Sequence, residues 1–137
     1  MRLLIDSNIF LDILYQRENL YEGSKELFYH AKNNKDQLYI NASSLKDIYY
    51  FAYKKMHDKK QSRLFIYNIY QIITKVVDCS SDDAISSIFD EGDYEDNMLR
   101  SAANRTMCDA IITRNIKDFA NKDINCFTPE EYLLYRN

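Results

Sequence analysis

The sequence predicts an α/β fold, a single domain over residues 1–137 with a mainly parallel central sheet of about four to five strands and helices on both faces. Short, wholly apolar runs such as Leu3-Leu4-Ile5 and Ala110-Ile111-Ile112 read as strands buried on both sides. Segments with apolar residues at helical spacing separate these runs. Polar residues that could bind a ligand follow two of them, Asp6 after the first and Asn115 after the later one. In such folds ligands bind where strands end and helices begin.

Taken in order, Leu3-Leu4-Ile5 is the first strand, and Ile9, Phe10, Ile13 and Leu14 mark a helix after Asp6-Ser7-Asn8. A second helix is predicted from Tyr21 to Asn33, before the turn cluster Asn33-Asn34-Lys35-Asp36. Leu38 to Ala42 reads as a strand, and Ser43 or Ser44 as the cap of a third helix reaching Met56. His57-Asp58-Lys59-Lys60 breaks the pattern before a fourth helix from Ser62 to Thr74. Lys75 to Cys79 suits a short strand, and Ser80 or Ser81 caps a short helix to Phe89. Gly92-Asp93 is a turn, and Tyr94 to Met107 a helix. Ala110 to Thr113 is a strand, Lys117 to Ala120 a helical turn, and Ile124 to Phe127 the last strand. Thr128-Pro129-Glu130-Glu131 opens a terminal helix with proline at its first position.

Composition narrows the function. The chain has two glycines, Gly23 and Gly92, so neither a P-loop nor a G-x-G-x-x-G turn can be built. Cys79, Cys108 and Cys126 are dispersed, and His30 and His57 stand near none of them, which points to free thiols rather than zinc ligands. The N-terminal apolar run is cut short by Asp6, and no apolar stretch is long enough to span a bilayer, so a cytoplasmic protein without membrane contact is expected. A net charge of −3 argues against holding nucleic acid by charge alone. It leaves open an enzyme that meets phosphate through bound cations.

The candidate chemistry lies in Asp6, Asp47, Asp93, Asp96, Asn115 and Asp118. Singly, each has a structural explanation. Asp6 could cap a helix, Asp47 could sit in a helix first turn, Asp93 and Asp96 fall in an acidic stretch, and Asp118 could cap a turn. Together they would place oxygen ligands from four segments at one sheet edge. Two carboxylates ~5 Å apart at an effective dielectric of about 20 repel by roughly 3 kcal/mol, so convergence implies a cation. Oxygen-only ligands suit Mg²⁺ or Mn²⁺.

These residues resemble the PIN domain family, in its VapC-like group of toxin ribonucleases, over essentially the whole chain. Leu4 to Asp12 is similar to the family's opening strand and first catalytic aspartate. Ile40 to Tyr50 resembles the block with an acid early on a helix, and Asp93 to Leu99 the block with a metal-binding aspartate. Ala110 to Phe119 resembles the fourth block, and Phe127 to Leu133 the closing strand and helix. The resemblance implies Asp6, Asp47 and Asp96 as catalytic residues, and Asp6, Asp96, Asn115 and Asp118 as ligands of Mg²⁺ or Mn²⁺. Asn8 and Arg114 would contact substrate. It further implies metal-dependent hydrolysis of RNA, a cognate antitoxin protein and a homodimer. Two departures stand out: aspartate at 47 where many members carry glutamate, and asparagine at 115 where many carry aspartate. They leave a second reading, a weak or inactive PIN scaffold that binds RNA or protein. A haloacid-dehalogenase-type phosphatase is disfavoured because Asn8 stands where its second acid belongs.

Elsewhere, Lys54, Lys55, His57, Lys59, Lys60 and Arg63 form the densest basic cluster, read as a solvated helix connection or an RNA contact. Arg105 and Arg114 are expected to position phosphate. The tyrosines at 49, 50, 53, 67 and 70 are expected to pack in the core or an interface.

Overall fold

Leu3, Leu4 and Ile5 have no exposed surface because their strand, β1 (Arg2–Ile5), is the middle of a five-stranded sheet. The computed structural model describes residues 1–119 and 123–137. The other strands are β2 (Gln37–Asn41), β3 (Lys75–Val77), β4 (Ala110–Ile112) and β5 (Asn125–Phe127). They lie in the order β3-β2-β1-β4-β5, and every pairing is parallel.

The strands' side chains alternate between two packed faces. Leu3, Ile5, Leu38, Ile40, Ala110 and Ile112 point to one face. It is covered by α1 (Ser7–Leu14), α2 (Tyr21–Asn33), α3 (Ala42–Met56), α4 (Lys59–Ile72) and α7 (Pro129–Arg136). Leu4, Tyr39, Val77 and Ile111 point to the other, where Leu99, Ala102 and Ala103 of α6 (Tyr94–Arg105) meet them. α5 (Ser81–Phe89) packs on α6. Among the described residues no helix is long and apolar enough to cross a membrane.

The differences from the expected elements are local. α3 begins at Ala42, and its cap is Asn41, whose side chain accepts from the Ser43 N–H at 2.9 Å, rather than Ser43 or Ser44. α4 starts earlier than Ser62 because Asp58 caps it, accepting from the Gln61 N–H at 3.0 Å. α6 stops at Arg105, before Met107, which takes a left-handed backbone at φ 55°. A 3₁₀ turn covers Ile116–Phe119; the expected end at Ala120 lies outside the described residues. The two capping boxes, Ser80 with Asp83 and Thr128 with Glu131, form as their sequences suggest.

The strand order reverses direction at β1. The chain steps from β1 out through β2 and β3, then returns to add β4 and β5 on the other side. The carboxyl ends of β1 and β4 therefore flank the switch point, where neighbouring crossovers leave a crevice.

Candidate functional site

Asp6 follows β1 at this switch point, held there by its N–H bond to the Ile112 carbonyl at 2.9 Å. It occupies the N-cap position of α1, yet its carboxylate caps nothing. One oxygen instead accepts from the Thr113 hydroxyl at 2.7 Å, and the other from the Ser7 hydroxyl at 3.4 Å. Ile5 pairs with Ile112, so the residues that follow them, Asp6 and Thr113, come side by side. Thr113 is fully buried and also accepts from the Asn115 N–H at 3.0 Å. Burial raises the Asp6 carboxyl above the ordinary value, against the opposing effect of the Thr113 hydrogen bond.

The first turn of α6 supplies the acids that face Asp6. Gly92 turns the chain at φ 97°, a backbone that glycine adopts without strain. Asp93 then caps the helix, accepting from the Asp96 N–H at 3.1 Å. Asn97 donates to the Asp90 and Glu91 carbonyls, each at 3.2 Å, and so fixes the approach to the helix. Asp96 is only 8% exposed. Its carboxyl is pushed up to about 7, first by burial, then by the charges of Asp6 and Asp93 and by a hydrogen bond to Asp118. Glu95 is raised by burial and by Asp47, Asp6 and Asp93. The field reaches β5, where burial and then the charges of Asp96 and Asp6 push the Cys126 thiol up to about 11.

A cavity of about 260 Å³ is lined by Asp6, Ser7, Asn8, Phe51, Asp93, Glu95, Asp96, Asn115 and Asp118. A smaller one of about 30 Å³ shares Asp6, Glu95 and Asp96 and adds Asn41, Ser43 and Ser44. Among the described residues no group of three or more Asp, Glu, His or Cys side chains is placed to hold a metal ion by itself, so amide or hydroxyl oxygens, water or substrate would have to complete a cation's shell. The donors that do meet here are oxygen-only and mutually repelling, a set that fits a hard divalent cation sharing the site with water or substrate.

Six of the sequence candidates, Asp6, Asn8, Asp93, Asp96, Asn115 and Asp118, thus line one cavity. Asp47 is not among the lining residues, although its charge acts on Glu95. Arg114 stands outside as well. Its guanidinium is taken up by Asp12, Glu130, Ser24 and the Leu20 carbonyl, so it is not the free phosphate contact that was expected. Arg105 is likewise engaged, with Asp83 and Asp78. The tyrosines of α3 and α4 are not core residues: Tyr50, Tyr53, Tyr67 and Tyr70 are exposed. The basic cluster is exposed at the α3–α4 connection.

Sequence reasoning passed over Glu95 and Thr113. Glu95 was hidden by its neighbour, since an acidic run gives no sign of which member faces inward. Thr113 had a signal, a hydroxyl residue directly after an apolar strand that pairs with the strand before Asp6.

A family model described as PIN domain matches residues 2–117. No curated protein matches the chain. Solved structures share the fold at low identity. VapBC2 from Rickettsia felis bound to a DNA fragment from the promoter is 19% identical, covering 93% of this chain and 98% of that one at TM-score 0.66. VapBC-1 from nontypeable Haemophilus influenzae is 14% identical, covering 95% and 99% at TM-score 0.69. Mycobacterium tuberculosis VapC20, described as a sarcin-ricin loop cleaving toxin, is 6% identical, covering 90% and 98% at TM-score 0.66. At these identities the structures speak for the fold, while the family pattern runs from β1 through Asp6 and Asp96 to the turn after β4: the chain belongs to the PIN domain family.

Proposed function

We propose that this protein is a divalent-metal-dependent endoribonuclease, with Mg²⁺ or Mn²⁺ as its ion, and the toxin of a toxin–antitoxin pair. The observation that carries the reading is the convergence of Asp6, Asp96, Glu95, Asp93 and Asp118 on one cavity at the switch point, with the Asp96 carboxyl pushed up to about 7. Asp6 and Asp96 would be the principal ligands, with Asn115 and Asp118 completing the oxygen set and Asp47, outside the lining, contributing charge through its effect on Glu95. A bound cation there supplies charge neutralisation for the phosphodiester and a lowered pKa for water. The chain's own work is positional and protonic. Thr113 orients the Asp6 carboxylate for attack geometry. A carboxylate oxygen of Asp6 or Asp96 would accept the proton of the attacking water. Asn8, whose amide oxygen accepts from the Arg114 N–H at 3.4 Å, stands at the cavity wall where a substrate phosphate would enter.

The test is cleavage of mixed RNA by purified protein with Mn²⁺, with EDTA, and with Asp6→Ala in Mn²⁺. Cleavage by the parent in Mn²⁺ alone is expected, and equal cleavage by Asp6→Ala refutes the assignment. The competing reading, a PIN scaffold that binds without cutting, draws on the aspartate at 47 and the amide at Asn115. It predicts RNA or protein binding with no cleavage in any buffer.

The partner reading rests on the structural neighbours, among them one described as a toxin-antitoxin complex from Klebsiella pneumoniae. A small antitoxin encoded nearby is expected to suppress cleavage when co-purified. Harmless overexpression of the active protein, with no neighbouring partner gene, contradicts it.

A further inference from the structure

We infer that Arg114 is a positioning residue: it holds the Thr113-Arg114-Asn115 segment, and through it the Asp6 carboxylate, against three helices and the α1–α2 connection behind the site. The inference rests on the proposed cation site and deepens it. The guanidinium is 14% exposed by side chain and donates from Nε to Asp12 at 2.9 Å. Nη2 donates to the Leu20 carbonyl and the Ser24 hydroxyl, each at 3.1 Å, and Nη1 pairs with Glu130. One side chain therefore ties the end of β4 to α1, the α1–α2 connection, α2 and α7.

Two features show that this arrangement is built in. Asp12 is completely buried, accepts from Ser24 at 2.8 Å, and has Arg17 as a second cation at 3.2 Å. Burying a carboxylate is costly unless it is paired and hydrogen-bonded, as it is here. Gly23 of α2 leaves room for the other end of the network, because a Cβ there would stand 2.1 Å from Glu130 Oε1.

The same segment makes the contacts that shape the site. Thr113 holds Asp6, the Arg114 N–H meets Asn8, and Asn115 lines the cavity. A shift of Arg114 moves all three together. Side chains that orient metal ligands from behind typically change affinity by 10- to 100-fold when altered.

Arg114→Lys keeps the charge and loses the fork; Arg114→Gln loses both. Mn²⁺ affinity by calorimetry and amide hydrogen exchange at Asp6 and Asn115 in EDTA are compared with the parent and with Arg105→Gln. That last variant breaks another ion pair, one outside the cavity. Both Arg114 variants are expected to weaken Mn²⁺ binding by about 10- to 100-fold. They should lower kcat more than they raise KM and speed exchange at both amides. Arg105→Gln should lower Tm and leave all of these unchanged. If Arg114→Gln does not fold, Glu130→Gln, which removes one partner and leaves the Asp12 contact, is expected to move the same quantities less far. Parent-like Mn²⁺ affinity and exchange in a folded Arg114→Lys overturn the inference. If the parent itself binds no Mn²⁺, the proposed function fails separately, and the metal-free exchange rates alone decide the role of Arg114.

Discussion

Asp6 has the backbone of a helix cap and a carboxylate that does other work. The side chain is committed to Thr113 and Ser7, so α1 starts without a side-chain cap. Thr113→Val keeps the shape and removes the donor. The Asp6 carboxyl should then titrate higher than in the parent by carboxyl-carbon NMR, and Mn²⁺ binding should weaken by about tenfold. Asp96 gives a pH signature in metal-free protein. Its folded value of about 7 exceeds the ordinary 3.8, so between them the folded state binds the extra proton. Stability from this group is therefore lost as pH rises from ~4 to ~7 in EDTA, and Asp96→Asn should lose less over that window in urea titrations. A parallel pH dependence in the two proteins contradicts the assignment. At this scale the sequence was informative where an acid follows a strand, as at Asp6, and ambiguous in the acidic run, where only the three-dimensional turn at Gly92 decides that Asp93 caps while Asp96 faces inward. Arg114 misled because charge and position suggest a phosphate contact. Its partners Asp12 and Glu130 are 102 and 16 residues away and cannot be paired from spacing.

α6 connects the site to the body of the fold, with the acids in its first turn and Arg105 in its last. Arg105 pairs with Asp83, whose side chain is 3% exposed, and holds that carboxyl below the ordinary range together with Ser101 and Ser80, against the opposing effect of burial. Arg105→Gln leaves a buried carboxylate short of a partner and should cost about 1–3 kcal/mol near neutral pH. A folded value depressed below 3.8 means this stabilisation is present above that pH and fades as pH falls through the lower value. The parent and variant unfolding energies should therefore converge in acid; a gap that persists at the lowest pH rules out the ion pair as its source. α2 and α7 meet through Gly23 and Glu130. Gly23→Ala adds about 1 kcal/mol of helix propensity but displaces the Glu130 carboxylate. The gain should be larger in a Glu130→Ala background than in the parent, and an additive double-mutant cycle contradicts the contact. The elements themselves were legible because Leu3-Leu4-Ile5 of β1 and Ala110-Ile111-Ile112 of β4 are unbroken apolar runs and the caps at Ser80 and Thr128 have mechanisms that work locally. The starts of α3 and α4 were missed by a few residues because Asn41 and Asp58 compete as caps with nearby serines and with a charge run that looks like a loop.

On the scale of the whole molecule, a modest net charge of −3 coexists with apolar surface that the chain alone does not cover. A groove of about 510 Å³ between α3 and α4 is lined by Leu45, Lys46, Tyr49, Arg63, Ile66, Tyr67 and Tyr70. The homodimer expected from the resemblance is proposed to use these aromatic helices. Light scattering at tens of micromolar should give a dimer that Tyr67→Glu splits; a monomeric parent contradicts it. If the acids at the switch point form a cation site, metal binding is linked to global unfolding. A cation that binds only the folded state at one hundred times its dissociation constant stabilises it by about 2.7 kcal/mol. The measurement is the melting temperature of the parent and Asp96→Asn, each in EDTA and in millimolar Mn²⁺. In EDTA above pH ~7, where Asp96 is ionised, the variant should melt no lower than the parent, since it has lost a repelling charge. In Mn²⁺ the parent should rise above the variant. The same small difference in both buffers would mean that Asp96 holds no cation.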